Sequence, residues 1–209
     1  SKYGSRATQA YTSAEKNIDQ IDVKRSAVDS QSIALNELND FYTFGLIGAS
    51  LDVIEQTLPL IKRGELQIIA QAYESIVWLK EMSGATRANA ISGFAAGKFT
   101  TSLLGRVGGF YGKQNLYKAR FTMFASPEQQ SFYDRTVTGP EVDRVDSLTK
   151  EVAESTTDTE FSGKIEPQAW VAITSARIAL LGKVEPKSRE RKSVGAGKGV
   201  EHGVRRSSR

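Results

Sequence analysis

The stretch "LKEMSGATRANAISGF", residues 79–94, has the composition of a helix, yet it sets an arginine among small and apolar neighbours. At 100° per residue from Ile76, Arg87 falls near about +20°, between Ile69 at about +20°, Ser83 at about −20° and Phe94 at about 0°, on the face that should turn inward. Lys80 falls nearer the edge, at about +40°. A guanidinium is planar, permanently charged and carries donors in a fork. Small planar anions such as nitrate, nitrite or a carboxylate accept two parallel hydrogen bonds from that fork. Ser83, Gly84 and Ala90 leave room beside Arg87, and Gln114 with Asn115 places further donors on the helix that follows. Two readings stay open at this level. Arg87 holds a small anion, or it snorkels to the rim or pairs with a carboxylate such as Asp40, Asp52 or Glu74.

Other chemistries are largely closed off. The chain has no cysteine, and its one histidine, His202, stands near the C-terminus. The body can therefore form neither a Ser-His-Asp nor a Cys-His pair, and it lacks the usual zinc ligands. No cofactor is expected. The glycine run "GRVGGFYGK", residues 105–113, lacks the spacing of a phosphate-binding loop and follows no strand. Gly105, Gly108, Gly109 and Gly112 are expected instead to let helices approach or kink. Tyr73, Phe94, Phe110, Tyr111 and Tyr117 read as core before they read as pocket lining.

These residues need elements to position them, and the periodicity supplies helices throughout. Residues 7–21 form a weak helical segment, and "DVKRSAVDSQS" reads as a turn or polar connection. From Ser32 as N-cap, Leu35, Leu38, Tyr42, Leu46, Ala49 and Val53 repeat every three or four residues towards Pro59, giving one amphipathic helix. A helix of some 30 residues should run from Glu65 to about Phe94, spanning about 45 Å. Another should run to Phe124 from a cap at Thr101 or Ser102. Ser126, Pro127 and Glu128 open a short helix to Thr136, and Pro140 and Glu141 open the next. The last begins near Pro167, carries Trp170, Ile173, Ile178 and Leu181 inward, and ends at "GKVEP". No segment of period two stands out. The expected fold is all-α, long antiparallel helices in one or two up-down four-helix bundles.

The net charge of +4 divides unevenly. Residues 186–209 carry eight Lys or Arg against two Glu, a net of +6, which leaves −2 for the first 185 residues. The tail, rich in Gly, Ser and Arg, is expected to be disordered, with at most weak binding to nucleic acid or acidic lipid. No run of residues is long and apolar enough to span a membrane, and the first residues lack a signal peptide's apolar middle.

Five stretches in register then carry a resemblance: "ELNDFYTFGLIGASLDVIE", "LKEMSGATRANAISGFAAGKF", "FASPEQQSFYDR", "GPEVDRV" and "IEPQAWVAITSARIALLGKVE". Over roughly residues 20–185 the chain resembles the NIT domain, the nitrate- and nitrite-sensing domain of bacterial chemoreceptors, sensor kinases and an antiterminator. The resemblance implies two four-helix bundles side by side, signalling through altered helix packing and no enzymatic activity. It places the family's Glu-Arg-Ala on "ATRAN", hence Arg87, with Thr86 where Glu is usual. It matches "VKRSAVDS" to an Arg-x-x-Val-Asp segment, which adds Arg25 and Asp29. With Ser83 and Gln114 from the helix pattern, the expected anion-binding set is Arg87, Arg25, Ser83 and Gln114.

The wording "ASPEQQSFYDRTVTGPEVDRV" looks most like chemoreceptor members. That implies a homodimeric parent receptor in the bacterial inner membrane, its sensory domain outside, joined to a signalling module. Family members carry an earlier helix ending in Glu-Arg-Gly, and this chain starts at the segment that follows it. Residues 1–185 are thus expected to be an N-terminally incomplete sensing domain whose first bundle exposes an apolar groove. The alternative of a different class is a helical assembly domain in which the arginines are structural.

Overall fold

The computed structural model describes residues 4–62 and 64–189. The helices are α1 (Ser5–Ile18), α2 (Ile21–Asp29), α3 (Leu35–Asp40), α4 (Ala49–Thr57), α5 (Gly64–Ala96), α6 (Thr101–Phe124), α7 (Pro127–Thr136), α8 (Pro140–Glu154) and α9 (Pro167–Ser188). A π-helical segment, Phe41–Gly48, joins α3 to α4 without a break, so the single amphipathic helix expected from Ser32 is present but underwound in its middle. The fold is all-α, as expected.

The local reasons are mostly those visible in the sequence. Ser126 and Gln129 cap each other reciprocally at the start of α7, with Pro127 at its first position. Thr100, one residue before the expected cap, accepts from the Leu103 amide to begin α6. Three local expectations are corrected. Residues 21–29 are helical, with Asp22 in the first turn and the Ser26 hydroxyl folded back onto the Asp22 carbonyl. A two-residue antiparallel pair, Lys98–Phe99 (β1) with Thr159–Glu160 (β2), is too short to leave a period in the sequence. Finally, α9 runs past "GKVEP" through Pro186 to Ser188, because the Gln129 amide donates to the carbonyls of Lys187 and Ser188 at the helix end. Residues 190–209, most of the expected basic tail, lie outside the described residues.

Helices α5, α6, α8 and α9 form a closed ring in which each packs on two neighbours. The turn through β1 reverses α6 against α5, the β1–β2 pair brings the end of α8 to the same place, and α9 starts beside the end of α5. Neighbours are therefore antiparallel, an up-down four-helix bundle. Helix α7 crosses to α9, while α1 packs on α4 and the π segment as a flanking layer that meets α5 through α3 and α4.

One end of the bundle is aromatic: Phe94, Phe99, Phe161 and Trp170 pack with Val107, Val145, Leu148 and Val152. The other is built on Ile76, Leu79, Phe121, Tyr133, Leu181 and Val184. Burying side chains of this size stabilises by about 1.5–3 kcal/mol each. The flanking layer buries mainly Ala7, Ala10, Ala14, Leu51 and Leu58, and leaves Tyr11, Ile18, Val23, Leu35 and Phe44 exposed. The glycines of α6 do not serve as expected. Added methyls at Gly105, Gly109 and Gly112 would meet open space, and one at Gly108 would make ordinary contact with Ala153. Close approach is needed instead at Gly93, where the ring of Phe99 rests directly on the α5 backbone.

Candidate functional site

Between the two apolar ends the bundle has a polar waist. Ser83 and Thr86 on α5, Gln114 on α6, Thr149 on α8, and Thr174 and Arg177 on α9 line one pocket with Val145. All of these polar residues are buried. The α5 pair is placed by helical geometry, three residues apart on one face. Each hydroxyl donates to the carbonyl four residues back, Ser83 to Leu79 and Thr86 to Met82, both within 2.8 Å. Their lone pairs are thereby left pointing at the pocket.

Arg177 fills that arrangement. Its side chain projects from α9 on the stripe formed by Trp170, Thr174, Leu181 and Val184, all buried. Its Nη1 donates to Ser83 Oγ at 2.7 Å and to Gln114 Oε1 at 3.1 Å. Gln114 Nε2 in turn donates to Thr86 Oγ1 at 2.8 Å. The Asp146 carboxylate lies 3.1 Å from Arg177 Nε, but not along its N–H, so that donor has no hydrogen-bond partner among the described residues. The Thr149 hydroxyl is likewise buried without a partner. A buried charge met chiefly by neutral oxygens is expensive in a low-dielectric interior, and so is an orphan donor. The side chains pack closely enough that the space between them has no room for a water-sized sphere.

The hydroxyls of Ser83, Thr86, Thr149 and Thr174 can each rotate to donate inward, Gln114 has two N–H groups, and Arg177 has its fork. Donors converging from four helices on one cationic group have the chemistry that an anion would require. The residues lining the pocket include no carboxylate or imidazole to act as a general base. Among the described residues no cluster of His, Cys, Asp and Glu could hold a metal ion.

Of the residues singled out in the sequence, Ser83 and Gln114 meet in this pocket. Arg87 is on the next turn of α5, half-buried, and donates through Nη1 to Ser175 Oγ at 2.8 Å. None of the carboxylates considered for it is its partner: Asp40 pairs with Arg106, Glu74 with Arg120, and Asp52 accepts from Gln56. The Arg87 carbonyl accepts from the Trp170 indole at 3.1 Å, which ties α5 to α9 beside the pocket. Arg25 is elsewhere, exposed on α2 and 3.4 Å from Asp22.

Arg177 was missed, although the wheel that flagged Arg87 flags it too. Seven residues beyond Trp170 and four before Leu181, it falls within about 20° of the core stripe of its own helix.

A buried carboxylate lies farther along α5. Glu74, fully buried, accepts from Arg120 at 3.1 Å while its Oε1 has no hydrogen-bond partner among the described residues. Burial pushes its carboxyl above the usual range, against the pull of Arg120 and with added repulsion from Glu55. Glu81 is raised for the same first reason, opposed by Lys80 and Arg87.

Comparison with known proteins agrees with the fold. No curated protein matches the chain. Among solved structures, the NasR transcription antiterminator superposes with a TM-score of 0.75 at 20% identity, over 89% of this chain and 49% of that one. The likeness is one of fold, and the chain spans about half the length of that protein. The family model described as nitrate and nitrite sensing matches residues 1–191, nearly the whole chain and more than the stretch over which the motifs are recognisable. The chain therefore belongs to the NIT family of nitrate- and nitrite-sensing domains.

Proposed function

We propose that this chain senses nitrate or nitrite at the waist of its four-helix bundle, with Arg177 as the principal anion-binding group. Ser83, Gln114, Thr86, Thr149 and Thr174 act as neutral donors around it. The observation that carries this reading is the Arg177 guanidinium, 7% exposed, held by a hydroxyl and an amide oxygen with its Nε unsatisfied. Arg87, which has no carboxylate within ion-pair distance among the described residues, adds a second positive charge next to the pocket. Arg25 would join only if α2 swung onto the bundle, and is the weaker candidate.

Because the pocket is closed, an anion enters only by breaking the bonds from Arg177 to Ser83 and Gln114. These bonds join α9 to α5 and α6, so the bound and free states differ in how those helices pack. A ligand with differential affinity for two packings shifts their populations, which is what a sensor requires. The output would be read by a module of a larger, homodimeric receptor. The chemoreceptor-like wording of residues 125–145 favours that parent, with the domain outside the inner membrane. No helix among the described residues is long and apolar enough to cross a membrane itself.

Titration calorimetry with nitrate, nitrite and chloride tests the reading. The unaltered chain should bind the two oxyanions in preference to chloride, and Arg177→Lys, which keeps the charge and loses the fork, should bind them at least tenfold more weakly. Equal heats for all three anions, or no effect of Arg177→Lys, would favour the assembly-domain alternative, in which these arginines serve packing alone.

A further inference from the structure

Every polar group that meets Arg177 is neutral except Asp146. Asp146 follows the pocket residue Val145 on α8 and precedes Thr149 by three, so it sits at the rim of the waist. Its side chain is 52% exposed while Arg177's is 8%. A carboxylate in that place faces water on one side and the only cation lining the pocket on the other. It is too far off the Nε–H axis to satisfy that donor, yet close enough at 3.1 Å for the two charges to be strongly coupled.

We infer that Asp146 is a resident counter-ion that sets the affinity of the site and restricts it to singly charged anions; this rests on the reading of the Arg177 pocket given above. Without ligand, Asp146 neutralises the buried guanidinium and keeps the closed packing stable. When an anion enters, Arg177 attracts it and Asp146 repels it. The site then carries one net negative charge with a monovalent ligand and two with a divalent one. Repulsion scales with ligand charge, so the penalty falls hardest on divalent anions of the same shape. Asp146 also has solvent on its far side, so it can turn outward as the ligand replaces it without leaving a buried charge unpaired.

The test uses Asp146→Asn, which keeps the shape and removes the charge, and reads dissociation constants for nitrate, perchlorate and sulfate. Perchlorate and sulfate share a tetrahedral shape and differ in charge, so their ratio separates electrostatics from fit. Coupling of screened charges a few ångströms apart predicts nitrate and perchlorate binding about tenfold tighter in the variant, and sulfate about a hundredfold tighter, because doubling the charge squares the factor. Unchanged nitrate affinity in a variant that still loses it on Arg177→Lys would overturn the role of Asp146 while leaving the sensing site intact. Equal gains for perchlorate and sulfate would also overturn it, since a merely structural residue would move both alike. Absence of nitrate binding in both the unaltered chain and the variant would overturn it together with the reading on which it rests. Should Asp146→Asn not fold, the carboxyl carbon resonance of Asp146 in the unaltered chain takes its place. It should shift on saturation with nitrate, and a resonance that does not move would refute displacement.

Discussion

Replacing Gly93 by alanine probes whether the contact of α5 with Phe99 of β1, at the aromatic end of the bundle, is as tight as it looks. A Cβ built at Gly93 would stand 2.5 Å from Phe99 Cζ and 2.6 Å from both Cε atoms, whereas ordinary contact begins near 3.4 Å, so the ring must recede by about 0.9 Å. Phe99 is fully buried, with Phe94 and Phe161 edge-on at centroid distances of 5.0 and 4.9 Å. Overpacking of this kind costs about 3 kcal/mol at the upper end of its usual range. The gain in helix propensity from Gly to Ala offsets about 1 kcal/mol. The net loss of about 2 kcal/mol corresponds to a fall in Tm of about 4–8 °C for a domain of this size. Gly105→Ala, Gly109→Ala and Gly112→Ala are the internal controls. With open space around each, they should raise Tm by a few degrees, because only the propensity effect remains. Calorimetric unfolding in chloride buffer measures all four. The displaced ring would press on Phe94 and so on Trp170, whose centroid is 4.9 Å from that of Phe94, and nitrate binding should weaken with the fold. A Gly93→Ala variant as stable as the α6 controls would refute the packing argument.

Gln114→Glu places a carboxylate where Oε1 now sits, 3.1 Å from Arg177 Nη1, and should abolish the nitrate-dependent rise in Tm by occupying the guanidinium from within. A variant that still responds to nitrate would move the binding site elsewhere. Glu74→Gln tests the raised carboxyl. A folded-state value above the unfolded one means that the ionised form opposes folding above the folded pKa, and that this opposition fades as pH falls through it towards the ordinary glutamate value. The Gln variant should therefore unfold at higher temperature than the parent at neutral pH, with the gap narrowing in acid; a gap that widens in acid would contradict the sign. The bidentate pair from Arg106 to Asp40, assisted by Asn89, ties the flanking layer to the bundle. Both side chains of the pair are about a third or more exposed, so a double-mutant cycle should yield a coupling of no more than about 1 kcal/mol. Hydrogen exchange should quicken in α3 and α4 in Asp40→Asn, while α8 and α9 stay protected.

The helices themselves were legible in the residues because their causes are local. The reciprocal cap of Ser126 with Gln129, the prolines at positions 127, 140 and 167, and the three-and-four spacing from Leu35 to Val53 act within a turn or two of chain. Where an effect came from across the fold, local reading stopped short. The end of α9 is extended to Ser188 by Gln129, some 60 residues earlier, and the β1–β2 pair exists because two helix ends meet.

The site follows the same division. That an arginine occupies the inward stripe of α5 is a property of sequence period, and Arg177 on α9 satisfies the same test. Which of the two is enclosed depends on rotation and partner, decided when α9 packs against α5: Arg177 turns into the waist to meet Ser83 and Gln114, while Arg87 reaches only Ser175 at the edge. The sequence by itself determined that the chain is helical, that its core carries cations and that His and Cys chemistry is closed to it. Tertiary structure alone decided which cation loses its water, because desolvation depends on neighbours from all four helices, and no single helix carries that information.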